Sequence, residues 1–427
     1  MTEPVFFVDG SRTPFLRARG ERGPFSASDL AVAAGRALLS RQPFTPPDLD
    51  EVILGCAMPS VDEANIGRIV ALRLGCGDRV PGYTVMRNCA SAMEALHAAA
   101  KDIALGQAEL VLAGGTEAMS RAPVLYNDQM VDWLAKLARA RTPMAKLKAV
   151  SELRPRHFTP VIGLLHGLTD PLVGLNMGQT CEVIAHRFGI TRESMDAFAV
   201  RSHHAVARAY DEGRMREVEP IYDDKGNAHL EDDGLRRDSS EAKLATLKPA
   251  FDRRVGLVTA GNSSQITDGA ALLLLASERA VKTHGLPVLG RLVDVEWAAL
   301  DPAEMGLGPV HASTPLLQRH GLGLNDLDCW EINEAFAGQV LACIAAWADE
   351  TYCREQLGLE HALGALEPER LNVDGGAIAI GHPVGASGAR IVLHALNVLA
   401  QRGGRRAIAT LCIGGGQGGA MLLERVH

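Results

Sequence analysis

With 427 residues, 47% hydrophobic and 22% charged, the chain has the composition of a globular protein, long enough for two or three domains or one duplicated core. A formal charge of −8 excludes the basic surface expected of a nucleic-acid binder. The longest apolar runs, such as Ala270 to Ala276, are too short to span a bilayer, and Met1 to Val8 lacks the charged and apolar regions of a signal, so a cytoplasmic protein is expected.

Strand-like sequence begins almost at once, and a βα unit opens at Pro47-Asp48-Leu49-Asp50-Glu51-Val52-Ile53-Leu54-Gly55. A strand at Tyr83 to Met86 leads into a helix in which Met93, Leu96, Ala100 and Ile103 recur at spacings of three and four, with Gly106 at the expected stop. This places Cys89 in the first helical turn. The next strand is Leu110 to Gly115. Ser120 to Lys248 differs: it is charge-rich and carries turn clusters such as Asp223-Asp224-Lys225-Gly226. Within it, Gln129 to Pro155 interleaves Trp133, Leu134, Leu137, Met144, Leu147 and Val150 with Lys136, Arg139, Arg141, Lys146, Lys148 and Arg154. That pattern is a basic amphipathic helix, or two joined near Pro143. It is either a solvated domain face packed on the core or an attachment surface for a membrane or a partner subunit.

Further on, strand-like Asp328 to Ile332 precedes Asn333-Glu334-Ala335-Phe336-Ala337. A Gly/Pro loop around Gly381-His382-Pro383 then leads through a helix to a strand at Ala407 to Cys412 and the turn Gly414-Gly415-Gly416. The order repeats that of the first part. Asn325 to Asn333 echoes Pro47 to Gly55, Gly385-Ala386-Ser387-Gly388 echoes Cys89-Ala90-Ser91-Ala92, and each is followed by a helix with Leu-His and a strand. The pattern predicts a duplicated α/β core with buried sheets.

Eight cysteines form no Cys-x-x-Cys pair, so free thiols, one or two of them reactive, are expected rather than disulfides or zinc. Cys89 at a helix start suits an activated nucleophile, since first-turn N–H groups and the helix dipole favour a thiolate and the same N–H groups can bind an oxyanion. A small core cysteine is the plainer reading. His382, framed by Gly381 and Pro383, is held where it can take a thiol proton, or is a structural loop histidine. The other histidines, including His203 and His204, read as surface residues. Cys412 before the glycine turn suits proton transfer at carbon. The turn lacks the context of a nucleotide-binding loop. Asn333 could hold a water as donor to an enolate oxygen, or cap a helix.

Asn88-Cys89-Ala90-Ser91, Ala113 to Ser120, Asn176 to Glu182, Thr259 to Ser264, Asn333 to Phe336, Gly381 to Gly388 and Cys412 to Gly416 resemble, in order and spacing, the signature stretches of the thiolase family, over essentially the whole chain. The resemblance implies a duplicated five-layer αβαβα fold with an inserted loop domain: residues 1–119 plus 249–285 as the N-terminal half, 120–248 as the insert, 286–427 as the C-terminal half. It implies that Cys89 is the acylated nucleophile, His382 its activator and an oxyanion donor, and Cys412 the acid/base at the substrate α-carbon. Asn333 would hold an oxyanion water, and the N–H groups of Cys89 and Gly414 would form a second oxyanion hole. Met177, Ser264 and Phe336 would line a pantetheine tunnel, and Arg236 or Arg237 would meet the nucleotide end of coenzyme A.

The implied activity is cleavage of 3-ketoacyl-CoA by coenzyme A, or the reverse condensation, with coenzyme A as co-substrate, no permanently bound cofactor and no metal. A homodimer or homotetramer is implied. The loop domain looks more like the β-subunit of the fatty-acid-oxidation trifunctional complex, which would add a hydratase/dehydrogenase partner. That branch, however, has His-Glu-Ala-Phe where this chain has Asn333 to Phe336. Ala92 stands where the family usually has glycine, and is expected to tighten the acyl pocket. Irreversible condensing enzymes of the ketoacyl-synthase type and a silent acyl-CoA-binding scaffold are the other readings. The Cys/Asn/His/Cys set points away from both.

Overall fold

The computed structural model describes residues 3–426. Glu51–Gly55 runs parallel to Leu110–Ala118, and Thr267–Ser277 pairs antiparallel with the latter. The same trio recurs in the second half: Cys329–Ile332 runs parallel to Arg406–Ile413, and Gln417–Glu424 turns back antiparallel beside it. Val5–Arg12 flanks the first trio and Gly290–Ala299 the second. These two flanking strands join each other antiparallel at Val5–Phe7 and Gly290–Leu292, so both halves read outward from the junction in the same order. The duplication visible in the sequence is thus a duplication of topology.

Burial divides the molecule into five layers. Along Thr267–Ser277 every residue is buried, because Leu272 and Leu274 face an outer helical layer while Leu273 and Leu275 face the middle of the molecule. The outer layer of the first half is Ala27–Ser40 with Ile66–Arg73, and that of the second is Gly308–His320 with Ala337–Ala348. Between the sheets lie Ser91–Ala104 and Ser387–Arg402, packed through Leu96, Ile103, Val392 and Leu396. Each of these two middle helices begins beside a candidate catalytic loop. The sheets on either side therefore fix the distance between the loops.

The segment between the halves folds in two parts. Met177–Arg187 and Arg192–Asp211 bury Cys181, Ile184, Met195 and Phe198 against the second half. The hairpin Val124–Tyr126 with Pro160–Ile162, and the helices Asp128–Arg139 and Pro143–Ser151, form a separate lobe. Pro143 starts the second helix, as expected at a first helical position. The lobe's two helices share little core. Met130 and Ala149 are buried and the Trp133 indole donates to Ala149 O at 2.8 Å, but Val131, Leu134, Met144, Leu147 and Val150 are exposed. The apolar stripe is therefore not packed on the chain's own core. No described helix is long and apolar enough to cross a membrane.

Candidate active site

The first loop is a strained elbow. After Gly82–Val85 the chain turns through Asn88, whose φ of 45° is tolerated by asparagine better than by most side chains. The Ser91 hydroxyl accepts from Arg87 N at 3.0 Å and donates to Asn88 O at 2.7 Å, closing the turn. The helix begins at Ser91 with Ala90 as its cap, so Cys89 stands just before the helix and not in its first turn. The electrostatic help expected there comes instead from the other half of the molecule. Burial dominates and raises the Cys89 pKa, while the backbone N–H groups of Gly414 and of Cys89 itself work against it. Cys89 therefore rests as a thiol and needs a base. The Asn88 side chain donates to Gly414 O at 2.8 Å, which staples this elbow to the Cys412 hairpin.

The second loop carries His382. Gly381, at φ 110°, leaves no room for a side chain: a Cβ there would lie 2.4 Å from the Thr267 methyl. The imidazole Nδ1 is 2.5 Å from Ser387 Oγ, and that hydroxyl donates to Pro383 O at 3.1 Å. Ser387 thus has its proton committed and accepts from Nδ1–H, which leaves Nε2 with a free lone pair. Burial, with the positive charge of Arg390 second, lowers the His382 pKa to about 4. The ring is neutral near physiological pH, the form a general base requires.

Cys412 lies near the end of Arg406–Ile413, in a hairpin closed by Gly415 and Gly416, both at positive φ. Its thiol is buried and held well above the usual range by burial first and by the neighbouring Cys89 sulfur next. Asn333 is fully buried, its N–H bonded to Thr410 O on the strand that leads to Cys412. The following helix is capped at Phe336, which removes the helix-cap reading of Asn333. Its amide Nδ2 stands 3.5 Å from both ring nitrogens of His382.

A cleft of about 620 Å³ is lined by Arg17, Arg236, Lys243, Phe251, Ser263 and Ser264, among others. Its floor is tied to the Asn333 segment by Ser264 N donating to Ala335 O at 2.9 Å. Phe336 packs edge-on to Phe251 with ring centroids 5.7 Å apart. The Met177 sulfur sits over the glycine hairpin, 3.5 Å from where a Cβ on Gly414 would be. Of the two arginines expected near a nucleotide, Arg236 faces this cleft, whereas Arg237 pairs with Asp211 and Glu231 on the surface.

Two sequence expectations change, and that of free thiols holds. His203 and His394 are buried, not superficial, and His394 lies between Glu217 (2.8 Å) and Asp374 (3.4 Å). The methyl of Ala92 lies under its helix, where a Cβ on Gly115 would come within 2.8 Å of it, so it packs on the central strand. All eight cysteines are free, and Cys89 alone is more than marginally exposed. Sequence reasoning missed Ser387, Arg390 and Glu117. The Glu117 carboxylate accepts from the N–H groups of Ala57 (2.8 Å) and Met58 (3.1 Å) under the His382 loop. Ser387 and Arg390 lie on the helix following the histidine, and only the fold brings them to bear on the site.

Two thiols, a neutral imidazole and a buried amide, drawn from both halves of a duplicated αβαβα core, define a class of acyl-transferring proteins. The thiolase N-terminal domain model matches residues 5–279 and the thiolase C-terminal domain model residues 286–425, and the chain belongs to the thiolase family. It is an acyltransferase with thiolase activity, and neither a ketoacyl-synthase type nor a silent scaffold is favoured. It is 38% identical over 423 residues to the 3-ketoacyl-CoA thiolase of Yersinia pestis (strain Pestoides F), covering 98% of this chain and 96% of that protein. The acetyl-CoA acetyltransferase structure from Bacillus anthracis superposes with a TM-score of 0.85 at 35% identity, covering 100% of this chain and 99% of that one. The human mitochondrial 3-ketoacyl-CoA thiolase in complex with CoA superposes with a TM-score of 0.84 at 36% identity, covering 99% and 98%.

Proposed function

We propose that the chain cleaves a 3-ketoacyl-CoA with coenzyme A, or runs the reverse condensation, through an acyl group carried on Cys89. The observation that carries this reading is the 2.8 Å hydrogen bond from the Asn88 side chain to Gly414 O, because it joins the Cys89 elbow of one half to the Cys412 hairpin of the other. In cleavage, His382 Nε2 takes the Cys89 proton and the sulfur adds to the 3-keto carbon, its oxygen facing the N–H groups of Cys89 and Gly414. The C2–C3 bond then breaks, its electron pair passing into an enolate whose oxygen is met by His382 and by Asn333 through a water. Cys412 gives its proton to C2, releasing acetyl-CoA. The coenzyme A thiol then gives its proton to the Cys412 thiolate and takes the acyl group, and the departing Cys89 sulfur recovers its proton from His382.

Coenzyme A would enter by the Arg236 cleft, with Met177, Ser264 and Phe336 along the pantetheine and Arg17, Arg236 and Lys243 toward the phosphates. The assay is cleavage of acetoacetyl-CoA and longer 3-ketoacyl-CoA by free coenzyme A. Arg236→Ala should raise KM for coenzyme A about tenfold with little change in kcat, whereas an unchanged KM would remove Arg236 from the site.

The division into 1–119 with 249–285, 120–248 and 286–427 belongs to the same proposal. It is supported by the Thr267–Ser277 strand returning to the first sheet after the loop segment. So does a cytoplasmic location, to which eight unpaired thiols are suited, and which cell fractionation would check. A homodimer is supported by Gly82–Val85, an edge strand that among the described residues pairs with Glu51–Gly55 alone and is followed by the exposed Met86. Sedimentation should give a dimer or tetramer at micromolar concentration; a stable, active monomer would contradict it.

The separate lobe is proposed to attach the protein to an anionic membrane surface. Between residues 124 and 162 it carries seven basic and three acidic residues in a chain of net charge −8, alongside the exposed Leu134, Met144, Leu147 and Phe158. Each such cation contributes on the order of 1 kcal/mol near an anionic surface and is screened by salt. The protein should therefore co-sediment with anionic vesicles at low salt and less at high salt, and charge reversal at Lys136, Arg139, Lys146 and Lys148 should abolish this. Absence of binding at low salt sinks the membrane reading, and a pull-down with a hydratase/dehydrogenase subunit then tests the alternative occupant.

A further inference from the structure

We propose that Arg390 is a positioning residue for the reaction, setting which end of the Asn333 amide faces the reacting carbonyl. This rests on the role given above to Asn333. Arg390 lies in the first turn of Ser387–Arg402 and is 1% exposed. Its Nη1 donates to Glu331 Oε2 at 3.0 Å and its Nη2 to Asn333 Oδ1 at 3.4 Å. A guanidinium has five donors and no acceptor, so it can face only the amide oxygen. Nδ2 is thereby turned toward His382. It is equidistant, at 3.5 Å, from both ring nitrogens and bonds neither closely, which leaves a donor free for a water or an enolate oxygen.

Without the guanidinium the amide has little reason to prefer this orientation, since its oxygen and nitrogen ends are nearly the same size. Flipped, it would present a lone pair to an oxygen that gains negative charge in the transition state, the opposite of what stabilises it. Glu331 keeps the fork in plane: its carboxylate pairs with Nη1 from the same strand-and-loop segment, two residues before Asn333. The arginine cannot lean away without breaking a buried ion pair, which is costly. The same positive charge also contributes, after burial, to keeping His382 neutral.

The test compares Asn333→Ala, Glu331→Gln, Arg390→Lys, and Arg390→Met paired with Glu331→Gln so that no carboxylate is left orphaned, the last two each with and without Asn333→Ala. Arg390→Lys is the variant expected to fold as the parent does, because lysine still pairs with Glu331 but cannot supply the second, forked bond. The readouts are kcat and KM for acetyl-CoA condensation and the rate of Cys89 alkylation by iodoacetamide. Arg390→Lys should lower kcat about tenfold, and the neutral pair about 10- to 100-fold relative to Glu331→Gln alone, with KM and alkylation unchanged. Added to Asn333→Ala, either should cost no more than about a further threefold, because the residue it orients is gone.

Independent, multiplying losses would overturn the proposal, as would parallel changes in KM and alkylation, which mark a merely structural role. Parental turnover in Arg390→Lys and the neutral pair beside a slow Asn333→Ala would remove Arg390 alone. Parental turnover in Asn333→Ala would remove the Asn333 assignment itself, and the positioning role with it.

Discussion

Cys89→Ala is expected to reduce thiolysis by about four orders of magnitude or more, since no second nucleophile stands at the elbow and the group that must carry the acyl chain is lost. Brief incubation of the parent with acetyl-CoA should leave an acetyl group on the peptide containing Cys89, read by mass spectrometry. Label on Cys412 alone would reverse the two roles. The other six cysteines are buried, which makes Cys89 the expected target of iodoacetamide. Burial raises its thiol above the ordinary value while the Gly414 N–H holds it down, so unassisted alkylation should climb with pH into the alkaline range. A plateau at neutral pH would mean a resting thiolate, against the assignment of His382 as its base.

His382 and Cys412 are expected to separate by half-reaction. His382→Ala should slow acylation of Cys89 by roughly two to four orders of magnitude, the usual worth of a general base. Cys412→Ala should leave acylation largely intact and suppress exchange of the acetyl-CoA methyl protons with solvent. Equal loss of both steps in both variants would defeat this division. The pH dependence has a definite sign. With a pKa lowered to about 4, the His382 ring is a base throughout the neutral range, and acylation should fail only as pH drops toward 4. An acid limb near 6.5 would mean an imidazole that is not desolvated. The same depression makes the folded state bind this proton later than the unfolded chain, so stability present above about pH 6.5 should be lost as pH falls through 4.

Local signals carried much of the site. A thiol after a strand, a histidine between glycine and proline, and a thiol before a glycine turn are each dictated within a few residues, because tight turns constrain composition. Their repetition at equivalent points showed two βα units of one kind. Placement of Cys89 in a first helical turn failed by two residues, because the Ser91 hydroxyl, bonded back to Arg87 and Asn88, starts the helix later than periodicity suggests. The histidines misread as superficial failed for another reason: a polar side chain is buried when it finds partners far away in sequence, as His394 does in Glu217.

By itself the sequence determined the duplicated α/β pattern, through order, period and turn chemistry, while the thiolase family and the candidate roles of Cys89, His382, Cys412 and Asn333 came from the resemblance of its signature stretches. Only the tertiary structure decided how these groups are tuned. It brought the Gly414 hairpin to the Cys89 elbow, Ser387 to His382 Nδ1 and Arg390 to Asn333, and it left the apolar stripe of the 124–162 lobe in solvent. Hydrogen bonds and desolvation depend on distances between residues from different strands and helices, and those distances exist only once two sheets have closed on the pair of helices between them.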